Sequence, residues 1–219
     1  FFREAGVGPG VVCLHANAST SGQWRDLVGL LSPRFHVLAP DSYGAGRSPE
    51  WPSDRVIRLV DEAALLETVF AKAGSPFALV GHSYGAAIAL VAALGDPGRV
   101  RALALYEPTL FSLIDGESPP PNDADGIRHT VAEASAALDG GDTGTAARLF
   151  IDYWMEPGSW KRMPDDRRAP IAASIVNVRR WAHALLTEPA PLSAFRSLDV
   201  PALLMTGGRT TASARGVTR

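Results

Sequence analysis

The chain has 219 residues, 46% hydrophobic and 20% charged, which suits one α/β domain with a sizeable core. A formal net charge of −2 gives no electrostatic basis for binding nucleic acid or an anionic membrane surface. The five histidines lack the spacing of a metal clamp, and the single cysteine excludes an intrachain disulfide.

Val11 to His15 is the first expected strand, and Cys13 sits inside it among Val11, Val12 and Leu14. That apolar setting predicts a buried structural thiol, compatible with a reducing, cytoplasmic setting, and not a nucleophile. Gln23 to Leu31 is a helix candidate ended by Pro33, and His36 to Pro40 is the next strand. Asp54 to Lys72 carries Val56, Leu59, Val60, Ala63, Leu66, Val69 and Phe70 at helical spacing, so one long helix is expected there.

Gly74-Ser75-Pro76 breaks that helix, and Phe77 to Gly81 reads as a buried strand. The apolar stretch Phe77 to Leu94 approaches the length of a membrane span. Gly81-His82-Ser83-Tyr84-Gly85 interrupts it with turn and polar residues, so it reads as strand, sharp turn and helix. No secretory signal is visible either. Arg101 to Tyr106 is a further strand. From Ala124 to Leu186 the periodicity is helical, with breaks at Gly140-Gly141 and near Pro157-Gly158. Ile171, Ile175, Val178 and Leu185 form one stripe there. Strand character returns at Val200 to Thr206. A helical insert of about sixty residues is thus expected between two sheet strands.

Gly81-His82-Ser83-Tyr84-Gly85 fits G-x-S-x-G between an apolar strand and a small-residue helix. Such a turn projects a serine hydroxyl above the sheet, and the helix behind it aims free N–H groups at a developing oxyanion. Three other features follow the expected order: Leu14-His15-Ala16-Asn17, Asp41-Ser42-Tyr43-Gly44-Ala45-Gly46-Arg47-Ser48, and Tyr106-Glu107-Pro108. Together these segments make the chain resemble the α/β-hydrolase superfamily along nearly its whole length.

The resemblance implies a mostly parallel sheet flanked by helices, with a helical cap inserted before the last visible strand. It implies one domain, with a core at 1–110 and 190–219 and a cap at about 111–189. Ser83 is then the nucleophile, and the backbone N–H groups of Asn17 and Tyr84 form the oxyanion hole. Ser83 also argues against the haloalkane dehalogenase and epoxide hydrolase branches, which resemble this fold but use a carboxylate nucleophile. His15 is read as tying down its loop, and Asp41 as bonding backbone groups.

The stretch Gly207 to Thr211 that would carry the family's acid has no Asp or Glu. Some lidded members place the acid where Glu107 stands, and Glu107 is read either as the triad acid or as a structural carboxylate at a strand end. No histidine matches the base, which the family places after a further strand. With no initiator methionine and a polar ending after an apparent core strand, a fragment lacking the final strand and helix is expected. Trp154 and Trp181 either line an acyl pocket or pack the cap onto the core.

The leading expectation is a serine hydrolase acting on a small ester-like substrate through an acyl-enzyme, without metal or organic cofactor. The alternative is a non-catalytic ligand-binding member. Neither expectation fixes the oligomeric state.

Overall fold

The computed structural model describes residues Phe1–Arg219. Six strands form one sheet: β1 (Phe2–Ala5), β2 (Gly10–Leu14), β3 (His36–Pro40), β4 (Phe77–His82), β5 (Val100–Tyr106) and β6 (Ala202–Met205). Their spatial order is β1-β3-β2-β4-β5-β6; β1 runs antiparallel to β3 and every other pair is parallel. Helices join the strands: α1 (Arg25–Leu31), α2 (Leu59–Leu65), α3 (Glu67–Ala73) and α4 (Tyr84–Gly95) in the first half. Seven more lie between β5 and β6: α5 (Ser112–Glu117), α6 (Asp125–Asp139), α7 (Thr143–Trp154), α8 (Ser159–Arg162), α9 (Asp165–Ser174), α10 (Val178–Leu186) and α11 (Leu192–Arg196). The chain ends with α12 (Ala212–Val217). No helix is long and apolar enough to cross a membrane.

The alternation of side chains along β2 and β3 divides the core between two faces. Val12, Leu14 and Leu38 join the main cluster, which extends from the sheet into the helices between β5 and β6 through Ile127, Phe150, Val178 and Trp181. Val11, Cys13, Val37 and Ala39 face the other way, covered by Trp24, Leu27, Val28 and Leu31. Cys13 is wholly buried there, and burial pushes its thiol up to about 12, which makes it inert. The stretch Ala86 to Ala89 of α4 is fully buried, because small side chains let the helix lie close on the sheet.

One expected element takes a different form. The helix expected over Asp54 to Lys72 begins only at Leu59, with Arg58 in extended conformation and its N–H donated to the Asp61 carboxylate at 2.8 Å. It is divided at Leu66, where the backbone turns to φ −82°, ψ −3°. Apolar periodicity continues across this break, which is why the pattern alone reads as one helix. All four residues of β6 are exposed. It pairs with β5 on one side only, leaving Leu203, Leu204 and Met205 at the sheet edge.

Candidate active site

β4 ends at His82, and Ser83 occupies the turn before α4 with φ 55° and ψ −116°. Few L-residues adopt such a backbone, and it costs of order 1–3 kcal/mol. The surroundings hold it there. Ser83 N–H donates to the Tyr106 carbonyl at 2.9 Å. A Cβ on Gly81 would lie 2.5 Å from Ala86 Cα, and one on Gly85 would lie 2.2 Å from the Leu14 carbonyl oxygen. Both glycines are therefore required by space, so that the helix can pack against its own strand and the end of β2. The Ser83 hydroxyl does not cap α4.

The loop after β2 faces this turn. His15 is buried; its Nδ1 lies 2.7 Å from the Ala16 carbonyl, and its Nε2 accepts the Ser42 N–H at 3.0 Å. Burial holds its pKa below the usual imidazole range, so the ring is neutral, and accepting at Nε2 puts the proton on Nδ1. Ala16 N–H donates to Gln23 Oε1 at 3.0 Å, and Ala18 has a positive φ of 53°. Asp41, also buried, accepts the N–H groups of Ser21 at 2.6 Å and Arg47 at 3.0 Å. These bonds tie the two loops together and leave the N–H groups of Asn17 and Tyr84 without a protein acceptor. Tyr84 is the first residue of α4, where no intrahelical acceptor exists.

Asn17 and Ser83 open on a narrow slot walled by Thr109, Phe111, Phe150, Trp154, Trp181 and aliphatic side chains of α6 and α10. Trp154 stacks near Phe111 with centroids 6.3 Å apart, and Phe150 contacts both Trp154 and Trp181. Trp154 and Trp181 thus line the slot and pack the helices at once. The free volume is about 20 Å³, room for one water, so an acyl group enters only if the aromatic wall shifts. A larger cleft of about 380 Å³ lies between α2, α3 and α4, but it opens at Phe77 and Val100, the opposite end of the sheet from Ser83.

Glu107 follows β5 with φ 47°, and its Oε1 accepts the Gly207 N–H at 2.9 Å. It thereby closes the end of β6, as a structural carboxylate would, and stays half-buried at the same carboxyl end of the sheet as Ser83. The histidines are engaged elsewhere or lie apart. His82 Nδ1 lies 3.0 Å from Gln23 Nε2, and its ring stacks on Tyr106. Burial lowers its pKa, with the Glu107 charge opposing. His36 pairs with Glu4 and exposed His129 with Glu133, while His183 lies exposed on α10.

Glu62 was missed by sequence reasoning. It is 1% exposed beneath the elbow, where its carboxylate accepts the Tyr84 hydroxyl and the Tyr43 N–H, each at 3.2 Å. Burial raises its pKa to about 7. A signal existed: Glu62 lies three residues after Leu59 and four before Leu66, on the apolar stripe.

The site is thus a mostly parallel sheet whose central strand β4 runs into a strained serine, set before a buried helix and beside backbone N–H groups without a protein acceptor. A family model for the alpha/beta hydrolase fold matches residues 9–211, and the chain belongs to that family. It is 29% identical over 178 residues to a haloalkane dehalogenase of Bradyrhizobium diazoefficiens, covering 77% of this chain and 57% of that protein. It is 37% identical over 108 residues to a pimeloyl-[acyl-carrier protein] methyl ester esterase of Methylococcus capsulatus, covering 48% of this chain and 39% of that one. The crystal structure of an alpha/beta hydrolase from Sphaerobacter thermophilus superposes with a TM-score of 0.73 at 26% identity, covering 99% of this chain and 81% of the other. The chain therefore spans about two fifths to three fifths of the curated relatives' length.

Proposed function

We propose that this chain carries the nucleophile and oxyanion donors of a serine hydrolase acting on small carboxylic esters. The observation that carries the reading is the strained Ser83, its hydroxyl uncommitted and its slot apolar. In this reading the helices at about 111–189 act as a cap over a core at 1–110 and 190–219. Ser83 Oγ attacks the ester carbonyl while a general base takes its proton. The Asn17 and Tyr84 N–H groups hold the oxyanion, each worth about 3–4 kcal/mol of transition-state stabilisation. The C–O bond breaks, the alcohol leaves with the proton, and water then cleaves the acyl ester on Ser83. Trp154 and Trp181 receive the acyl side. Glu107 orients the histidine that serves as the base; none of the five histidines described donates to or accepts from Ser83. An ester substrate is consistent with the esterase relative, and a cytoplasmic site of action with the lone buried Cys13.

The uncommitted Ser83 hydroxyl, with no base beside it, also favours a second reading, a ligand-binding member that does not turn over. A fluorophosphonate probe with mass-spectrometric site mapping separates the two. Backbone N–H groups aimed at the charge that develops on the phosphoryl oxygen favour attack by Ser83 over attack by exposed serines, even where the hydroxyl is not deprotonated by a base. Ser83 should therefore label slowly but far ahead of every other serine, and Ser83→Ala should remove the adduct. Labelling no faster at Ser83 than at surface serines would leave the ligand-binding reading.

A further inference from the structure

Four buried side-chain polar atoms have no hydrogen-bond partner: Trp24 Nε1, Thr109 Oγ1, Ser112 Oγ and Asn177 Nδ2. Of these residues, only Thr109 lines the slot that holds Ser83. Thr109 is 1% exposed, and its carbonyl is already engaged by the Phe111 N–H at 2.8 Å. Thr109 thus stands in a wall otherwise made of Phe111, Phe150, Trp154, Trp181 and aliphatic groups, with its hydroxyl closed off from the slot and bonded to no protein group.

A buried hydroxyl without a partner is costly, and a purely apolar ligand leaves that cost in place, whereas a ligand oxygen at that depth removes it. Resting on the ester-hydrolase reading, we propose that Thr109 is a specificity-determining residue selecting compact apolar acyl groups that bear one hydrogen-bonding oxygen, the oxo- and hydroxyacyl esters. The shift of the aromatic wall that admits an acyl group uncovers Thr109 Oγ1, so that the rings take the carbon skeleton and the hydroxyl meets the oxygen. Valine has the same shape without the hydroxyl, so Thr109→Val removes the orphan group without opening a cavity.

The test uses the full chain and two ligand pairs. One pair is a pentyl fluorophosphonate and its 4-oxopentyl analogue, read as the labelling rate at Ser83. The other is pentanamide and 4-oxopentanamide, read as binding by NMR titration. Differences in the ligands' own hydration cancel when the oxo-to-alkyl ratio of the wild type is divided by that of the variant. This ratio of ratios should be about tenfold for Thr109→Val, and Thr109→Ser should restore the wild-type preference. An equal ratio in wild type and Thr109→Val, in binding and in labelling, overturns the assignment. Loss of discrimination in binding, with no labelling in any variant, would retain the subsite and remove the hydrolase reading.

Discussion

Gly85→Ala is expected to cost about 3 kcal/mol of folding stability or more, at the upper end of overpacking changes. The added Cβ would lie 2.2 Å from the Leu14 carbonyl oxygen, 2.4 Å from the Leu14 carbonyl carbon and 2.7 Å from the His15 carbonyl oxygen. All three are backbone atoms at the end of a strand that is buried throughout, so no flexible side chain can give way. Relief comes only from moving α4 off β2, and that movement separates the Tyr84 N–H from the Asn17 N–H. Labelling of Ser83 should therefore fall along with stability. Urea unfolding measures the first effect and the fluorophosphonate rate the second. A loss below about 1 kcal/mol would mean that the elbow is not wedged between strand and loop as described.

The second large effect is a pH dependence carried by Glu62. Burial raises its pKa from the ordinary 4.5 to about 7, against the opposing pull of the Tyr43 N–H, the Tyr84 hydroxyl and the Arg180 charge. Asp61, on the same helix, pushes it further up. The folded state thus keeps a proton that the unfolded chain releases near pH 4.5. Stability from this group is complete below that pH and is lost as pH rises through about 7. At 1.36 kcal/mol per unit, the loss is about 3 kcal/mol. The buried ring of His15 and the half-buried ring of His82 act in the opposite sense, costing stability as pH falls below the ordinary imidazole pKa.

Comparing wild type with Glu62→Gln cancels the histidines. Glutamine retains an acceptor for Tyr43 N–H and never ionises, so its stability relative to wild type should rise by about 3 kcal/mol between pH 4.5 and 8. Unfolding curves at four pH values measure this directly. A difference that does not change with pH would show that Glu62 is not desolvated. Since Tyr84 carries one proposed oxyanion donor, the same carboxyl anchors part of the site from below.

Much of the fold was legible because it is encoded locally. The strands at His36 to Pro40 and Phe77 to His82, the turn between β4 and α4, and the helical breaks near Gly140 and Gly158 are all marked by adjacent residues. Ser83 belongs to this group: strand, glycine, serine, glycine and small-residue helix lie within twenty residues of sequence. The neighbourhood of Ser83 was less legible. Phe111, Phe150, Trp154 and Trp181 lie far from it along the chain, and nothing in their spacing says which packs a helix and which lines a slot. In the structure each does both.

The division follows from the range of the forces involved. Where the backbone turns, which residues alternate inward, and that a serine stands between a strand and a helix can be read along the chain, because dihedral preference and apolar period act between near neighbours. That Glu62 is buried against Tyr84, and that the Thr109 hydroxyl bonds to no protein group beside Ser83, came only with the packed fold. Burial and hydrogen-bond satisfaction depend on what distant segments cover, and the same apolar or polar residue can meet either fate with no change in its local sequence.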